Sequence, residues 1–211
     1  MTAQPDFVLH AGYSLRELDQ ADADELHALI ERNRPRLARW MHWAHSQTAQ
    51  DTVAFIRRAE QKAREGRGFH RCIVADGRIA GVVGFSTIDS LNRSAAIGYW
   101  LDEAHQRHGA MTAAVAALVE HAFDRFELNR VEIRADVENA SSCAIAERLG
   151  FQREGVARQA YRVAGERYSD DAVYSMLAAD PARRELARSV ARAGLVRDHP
   201  GGEPVEPSAR R

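Results

Sequence analysis

Apolar residues recur at helical spacing in the first third of the chain and closer to alternation from His70 onward. Leu26, Leu29 and Ile30, and then Val53, Ile56 and Ala59, fall on single helix faces, predicting helices over 22–33 and 51–65. A further helix is expected over 36–43, and a short strand before all three at Tyr13–Glu17. The segments 71–75 and 78–88, rich in Ile and Val, flank Asp76-Gly77, a pair that favours a tight hairpin turn. Another strand, Ser94–Leu101, follows the polar turn at Asn92-Arg93.

Beyond it, Met111, Ala114, Val115, Leu118, Val119, Ala122, Phe123 and Phe126 mark a helix over 111–126 with one buried face. A strand over 130–137, a short helix over 141–149 stopped by Gly150, and strands near 151–157 and 172–177 follow. The order is mixed α/β (α+β) around a central sheet. Residues 1–179 form the expected domain. Residues 180–211 form an extension, in which Asp180-Pro181 starts a short helix through Ala193 and the Pro-, Gly- and charge-rich 198–211 is expected to be disordered.

Composition narrows the function classes. At 211 residues and 45% hydrophobic content, the chain is long enough for one full core. The 29 Lys and Arg nearly cancel the 30 Asp and Glu, so no global field recruits nucleic acid or a membrane surface, and a charged ligand must be held locally. Cys72 and Cys143 lack the paired spacing of a zinc site or a disulfide framework, which fits a reducing cytoplasm. No basic-then-apolar leader opens the sequence and no run of about 18 apolar residues occurs, so a soluble, untargeted cytoplasmic protein is expected.

The junction from Leu101 to Thr112 links an apolar strand to a long helix. The first amides of a helix lack internal partners and lie at the positive end of its dipole, so backbone alone can hold a diphosphate there. Gly109 permits close approach, and Arg107 and His108 add side-chain donors. An ordinary strand–helix connection is the plain alternative. Walker and dinucleotide-binding patterns are absent.

Gln106-x-x-Gly109-x-Met111 resembles the coenzyme A loop of the Gcn5-related N-acetyltransferases (GNAT), with Met in the final position. Further segments carry the match: Ile97-Gly98-Tyr99-Trp100-Leu101-Asp102-Glu103, Asn129-Arg130-Val131-Glu132-Ile133-Arg134, Asn139-x-x-Ser142, and Glu147-Arg148-Leu149-Gly150-Phe151-x-x-Glu154-Gly155. Together they resemble the ribosomal-protein N-terminal acetyltransferase (RimJ/RimL) branch, over about residues 13–177. The resemblance implies a mostly antiparallel mixed sheet flanked by helices, with strands splayed at an acyl-CoA site. Acetyl-CoA is then the cosubstrate, met by Trp100, Leu101, Gln106, Arg107, His108, Gly109, Ala110, Met111 and Thr112, with Asn139 on the pantetheine amide side and Ser142 near the sulfur. The acceptor is an amine, and the resemblance also implies a homodimer.

Transfer from a thioester to an amine needs a neutral nucleophile, a donor for developing negative charge, and a proton for the departing thiolate. The Ser142 hydroxyl can supply that proton, whereas Asn139 or Ser141 can equally serve as a plain helix cap. No base can be carried over. The family's glutamate after the Glu-Gly dipeptide is Tyr161 here, and a second acidic position is Ala96. An α-amine titrates near ~7.7–8.0 and is already about a tenth neutral at pH 7, whereas a lysine near ~10.4 is almost wholly charged, so a missing base favours α-amines.

Tyr161 is a candidate to orient a water or stack on substrate, and equally a strand residue. Trp40, His42, Trp43 and His45 cluster where the family has its acceptor cleft, making Trp40 and Trp43 candidate acceptor contacts, although core packing explains them as well. The pairs His42/His45 and His105/His108 lack a third ligand, so no metal is expected. The leading expectation is acetylation of an α-amine, a protein N-terminus among them, in a ternary complex. Two alternatives stand: a detoxifying or self-resistance enzyme for small aminoacylated compounds or antibiotics, and an acyl-CoA-binding regulatory domain with little turnover.

Overall fold

The computed structural model describes residues 7–10, 12–164 and 167–194. The expected disorder of 198–211 lies outside them. Eight strands form one sheet in the order β1-β2-β3-β4-β5-β6-β8-β7: β1 (Phe7–Val8), β2 (Tyr13–Glu17), β3 (Phe69–Ala75), β4 (Arg78–Asp89), β5 (Ser94–Leu101), β6 (Arg130–Asp136), β7 (Gln152–Ala164) and β8 (Arg167–Leu177). Every pairing is antiparallel except β5 with β6, the two strands joined by the long helix α3 (Ala110–Asp124). Helices α1 (Ala23–Leu37) and α2 (Ala49–Arg64) cover one face, burying Leu26, Leu29, Ile30 and Ile56 against Cys72, Ile79 and Val82. On the other face, α3, α4 (Ala140–Arg148) and α5 (Pro181–Ala193) share the larger core with Val83, Phe85, Ile97, Ile133 and Tyr174.

Local chemistry explains the punctuation. Asp76 and Gly77 both adopt positive φ, +48° and +78°, the pair of left-handed residues that a two-residue hairpin requires. Thr48 and Asp51 close a reciprocal cap at the start of α2.

Three expectations need correction. The helix placed over 36–43 does not exist: α1 runs through Pro35 to Leu37, and only a 3₁₀ turn at His42–His45 follows. Tertiary bonds override the break that proline invites. Leu37 is buried, and Arg34 donates to the carbonyls of Ala44 and Gln47, tying the last turn to the segment beyond. Second, α3 is buried nearly all round rather than on one face; its alanines let it sit between the sheet and α5, whose Leu186 and Val190 join the same core. Third, β7 and β8 are much longer than 151–157 and 172–177. Register shifts between Ala157 and Tyr161 break the alternation that would have revealed them. The two-residue β1 carries no sequence signal of its own.

Candidate active site

The parallel ladder between β5 and β6 is short. Ser94 pairs with Arg130 and the last rung is Ile97 with Ile133. Past it, β5 continues to Leu101 along β4, while β6 continues to Asp136 along β8. Each strand keeps its outer neighbour and loses its inner one, so a split opens whose edges are 98–101 and 134–136. An extended ligand can hydrogen-bond there as an added strand does. Gly98, first past the last rung, is exposed in mid-strand, and a Cβ there would meet nothing within 4 Å.

At the open end of the split the chain turns into α3. Gly109 caps that helix at φ +80°, no side-chain cap bonds its first amides, and Ala113 is the first residue to donate back, to the Gly109 carbonyl. The amides of Ala110, Met111 and Thr112 are therefore the orphan donors of a 15-residue helix. Gln106 follows a 3₁₀ turn at Glu103–His105, and Arg107, at φ +65°, and His108 are exposed beside Gly109. This donor set fits a pyrophosphate. Met111 is buried in the core instead, and Thr112 accepts a hydrogen bond from Arg148 of α4. Two neighbours were not foreseen. The His10 Nε2 lies 3.0 Å from where a Gly109 Cβ would stand, and the Tyr13 hydroxyl meets His105 Nδ1 at 3.0 Å.

Helix α1 fixes the turn from below. Asn33, buried in mid-helix, donates to Asp102 at 2.9 Å and accepts from the Glu103 amide at 3.1 Å, and Arg36 donates to the Leu101 carbonyl. A buried polar residue at a core position of α1 was the available signal for Asn33.

Just past the end of β6, Asn139 caps α4 through its side-chain oxygen and the Ser142 amide at 3.3 Å, as the helix-start reading anticipates. The Ser142 hydroxyl lies 3.1 Å from the Tyr99 hydroxyl. Tyr99 sits two residues past the last parallel rung, on the α3–α4 side of the sheet, and burial pushes its phenol up to about 12. It remains protonated at neutral pH. Sequence reading quoted Tyr99 within a motif without assigning it a part, because its partner is 43 residues away.

On the opposite side of the sheet, Trp100 and Trp43 are brought together, their ring centroids 6.4 Å apart. Trp40 is only partly buried, with the Arg39 guanidinium stacked on it, and does not join that cluster. Tyr161 projects from β7, 44% exposed. The β7–β8 hairpin docks onto the segment after α1: Arg167 donates to the Arg39 carbonyl at 2.8 Å, and His42 Nδ1 lies 3.0 Å from the Val163 carbonyl. Between them is an open cleft of about 400 Å³ lined by Pro35, Ala38, Arg39, His45, Val163 and Arg167. Asp136, the last residue of β6, is 8% exposed; its Oδ1 accepts from the Glu138 amide at 2.8 Å, and its Oδ2 has no hydrogen-bond donor.

Residues 14–152 match the family model described as an acetyltransferase (GNAT) domain. The chain is 36% identical over 166 residues to the putative ribosomal N-acetyltransferase YdaF of Bacillus subtilis (strain 168), spanning 78% of this chain and 90% of that one. It is 33% identical over 153 residues to the ribosomal-protein-serine acetyltransferase of Escherichia coli (strain K12), spanning 72% and 85%. Among solved structures, RimL, a ribosomal L7/L12 alpha-N-protein acetyltransferase in complex with coenzyme A, superposes with a TM-score of 0.77 at 30% identity, covering 82% of this chain and 98% of its own. The microcin C7 self immunity acetyltransferase MccE, in complex with acetyl-CoA and AMP, superposes at 0.75 and 31% identity, covering 80% and 93%.

Proposed function

Since the chain belongs to the GNAT acetyltransferase family, as an acetyl-CoA-dependent N-acetyltransferase of the ribosomal-protein type, we propose that its acceptor is the α-amine of a protein N-terminus. The observation that carries the reading is the split between β5 and β6, with pyrophosphate donors at its outer end and the Tyr99–Ser142 hydroxyl pair at its inner end. When bound, acetyl-CoA supplies an activated acetyl group. The amides of Ala110, Met111 and Thr112, with Arg107 and His108, hold the diphosphate, while Gln106 shapes the turn. The backbone of 98–101 on the edge turned away from β4 aligns the pantetheine arm near Trp100 and Leu101, and Asn139 orders the first turn of α4.

Ser142 donates its hydroxyl proton to the departing sulfur and Tyr99 donates in turn to Ser142. A phenol protonated at neutral pH, and reprotonated from solvent after each transfer, keeps that relay supplied with a proton. A thiolate is a weak base, so solvation by this pair suffices. The acceptor enters from the face of Trp43 and Trp100, on which Trp40 and Tyr161 border the approach. Compatibility with α-amines rests on the ordinary titration of that group, a useful fraction of which is neutral without help.

A second reading, transfer to a small aminoacylated compound, draws support from the likeness to the self-immunity acetyltransferase and from a cleft of about 400 Å³, roomy enough for a small molecule. One assay separates them. Purified protein is given acetyl-CoA with N-terminal peptides, lysine peptides with blocked termini, or aminoacyl-nucleotides, and free thiol is followed. Release with the N-terminal peptides is expected. Release only with aminoacyl-nucleotides selects the second reading, and tight acetyl-CoA binding without release on any acceptor refutes both.

A further inference from the structure

Neither the glutamate after the Glu-Gly dipeptide nor the acidic position at Ala96 is present, yet a carboxylate reaches the split from its other edge. Along β6, Val131 and Ile133 enter the core with α3 and α4, so Glu132, Arg134 and Asp136 face the opposite side. Along β5, the pairing of Ala96 with Glu132 puts Ala96, Gly98 and Trp100 on that same side. Asp136 therefore stands across the gap from Gly98 and Trp100, three residues past the last parallel rung, on the face where Trp43 meets Trp100.

Its setting is unusual for a carboxylate. The side chain is 6% exposed, and although Oδ1 accepts from the Glu138 amide in a local turn, Oδ2 is buried without a hydrogen-bond donor. Arg167 Nη1 lies 3.9 Å from Oδ2 and equally far from Glu138, too long for a hydrogen bond. A turn alone needs one carboxylate oxygen, and leaving the second buried and unsatisfied is unfavourable. Arg167 also lines the cleft beside Arg39 and Val163, so the side chain 3.9 Å from Asp136 is part of the cleft wall. The other charged neighbours at this end of the sheet are Asp171, paired with Asp136 across the ladder, and Asp170, whose carbonyl accepts from the Val137 amide.

Resting on the reading of this site as an amine acetyltransferase, we propose that Asp136 Oδ2 receives the acceptor amine, aiming its lone pair at the thioester and accepting its proton. The neutral amine donates one N–H to Oδ2. As the C–N bond forms the nitrogen becomes acidic, and its proton passes to Asp136 and then to solvent. The C–S bond breaks with its electron pair on sulfur, which is protonated from the Ser142–Tyr99 side, and solvent returns a proton to that pair. Amine and thioester become amide and thiol, with no proton gained or lost overall. The base is asked to act only on a nitrogen already acidified by bond formation.

The test compares wild-type protein with Asp136→Asn and Asp136→Ala, measuring acetyl-CoA affinity, thermal stability and turnover on an N-terminal peptide. Expected is a fall in kcat of about 100-fold in both variants, with acetyl-CoA affinity within about twofold of wild type. Added formate should restore part of the Asp136→Ala turnover, which a purely structural role would not allow. Asp136→Glu, which retains a carboxylate if the other variants unfold, should turn over about tenfold more slowly with acetyl-CoA KM unchanged. Unchanged kcat in any of the folded variants, or acetyl-CoA affinity lost in step with turnover, overturns the proposal. Slow transfer of acetyl to water, measured without amine, depends on the same oxygen whatever the acceptor. A wild-type protein inert toward every peptide but whose thioester hydrolysis is lost in Asp136→Asn would refute the acceptor reading and sustain this one.

Discussion

At the scale of the residue, the site divides into groups set by neighbours in sequence and groups set by distant ones. Gly109, Asn139 and Ser142 were legible because a cap and a turn are local events, decided by φ and by the next three amides. Tyr99, Asn33 and Asp136 were not, since what matters for each is a partner or a face that only the folded sheet supplies. Two expectations follow. Tyr99→Phe should lower kcat several-fold while leaving acetyl-CoA affinity unchanged, and Ser142→Ala should lower it more, by about tenfold. Equal effects on affinity, measured by calorimetry, would argue that the pair merely packs the split. Gly109→Ala adds a Cβ at φ +80° within 3.0 Å of the His10 ring, so strain of about 1 kcal/mol and a crowded anion site should together weaken coenzyme A binding. Titration with coenzyme A and with pantetheine, which lacks the diphosphate, checks this: only the former should lose affinity.

At the scale of the element, the strands β2 and β5 were read to the residue because turns of known chemistry bound them. The helix over 36–43 failed because α1 runs on through Pro35 to Leu37, its last turn tied by Arg34 to the carbonyls of Ala44 and Gln47, partners that local spacing does not reveal. The long β7–β8 hairpin failed because exposed, irregular strands carry no clean alternation, which also hid Arg167 and the wall of the cleft it makes. Helix α5 was foreseen from Asp180-Pro181, but its importance was not. Leu186 and Val190 fill the core beneath α3, the helix whose first turn meets the diphosphate. Leu186→Ala should therefore destabilise the protein by about 2–5 kcal/mol, read as a fall in the urea midpoint at unchanged slope.

At the scale of the whole molecule, three buried ionisable groups set how stability depends on pH. Burial, with lesser contributions from Lys62 for His70 and from Arg71 and Arg125 for His121, lowers both imidazoles to about 4 from 6.5. Their folded forms bind fewer protons than the unfolded chain, so the stability they allow is present above about 6.5 and lost as pH falls toward 4. Glu120 runs the other way. Burial lifts it to about 7 from 4.5 against the pull of Arg183, so its contribution is present below 4.5 and lost as pH rises through 7. Melting temperature should peak near pH ~6.5, and Glu120→Gln should steepen the rise between about pH 4.5 and 6.5 and remove the fall between about 6.5 and 7. A peak that Glu120→Gln leaves untouched would locate the alkaline loss elsewhere. The split itself bears on the same measurement. With four parallel rungs joining β5 to β6, the sheet is two half-sheets sewn along one short seam. Whatever lies in the gap supplies the missing stitches, so the cosubstrate should act as mortar as well as reagent. At a hundredfold excess over Kd, coenzyme A should add about 2.7 kcal/mol to the folded state. Amide exchange should slow most on 98–101 and 134–136, the two facing hems.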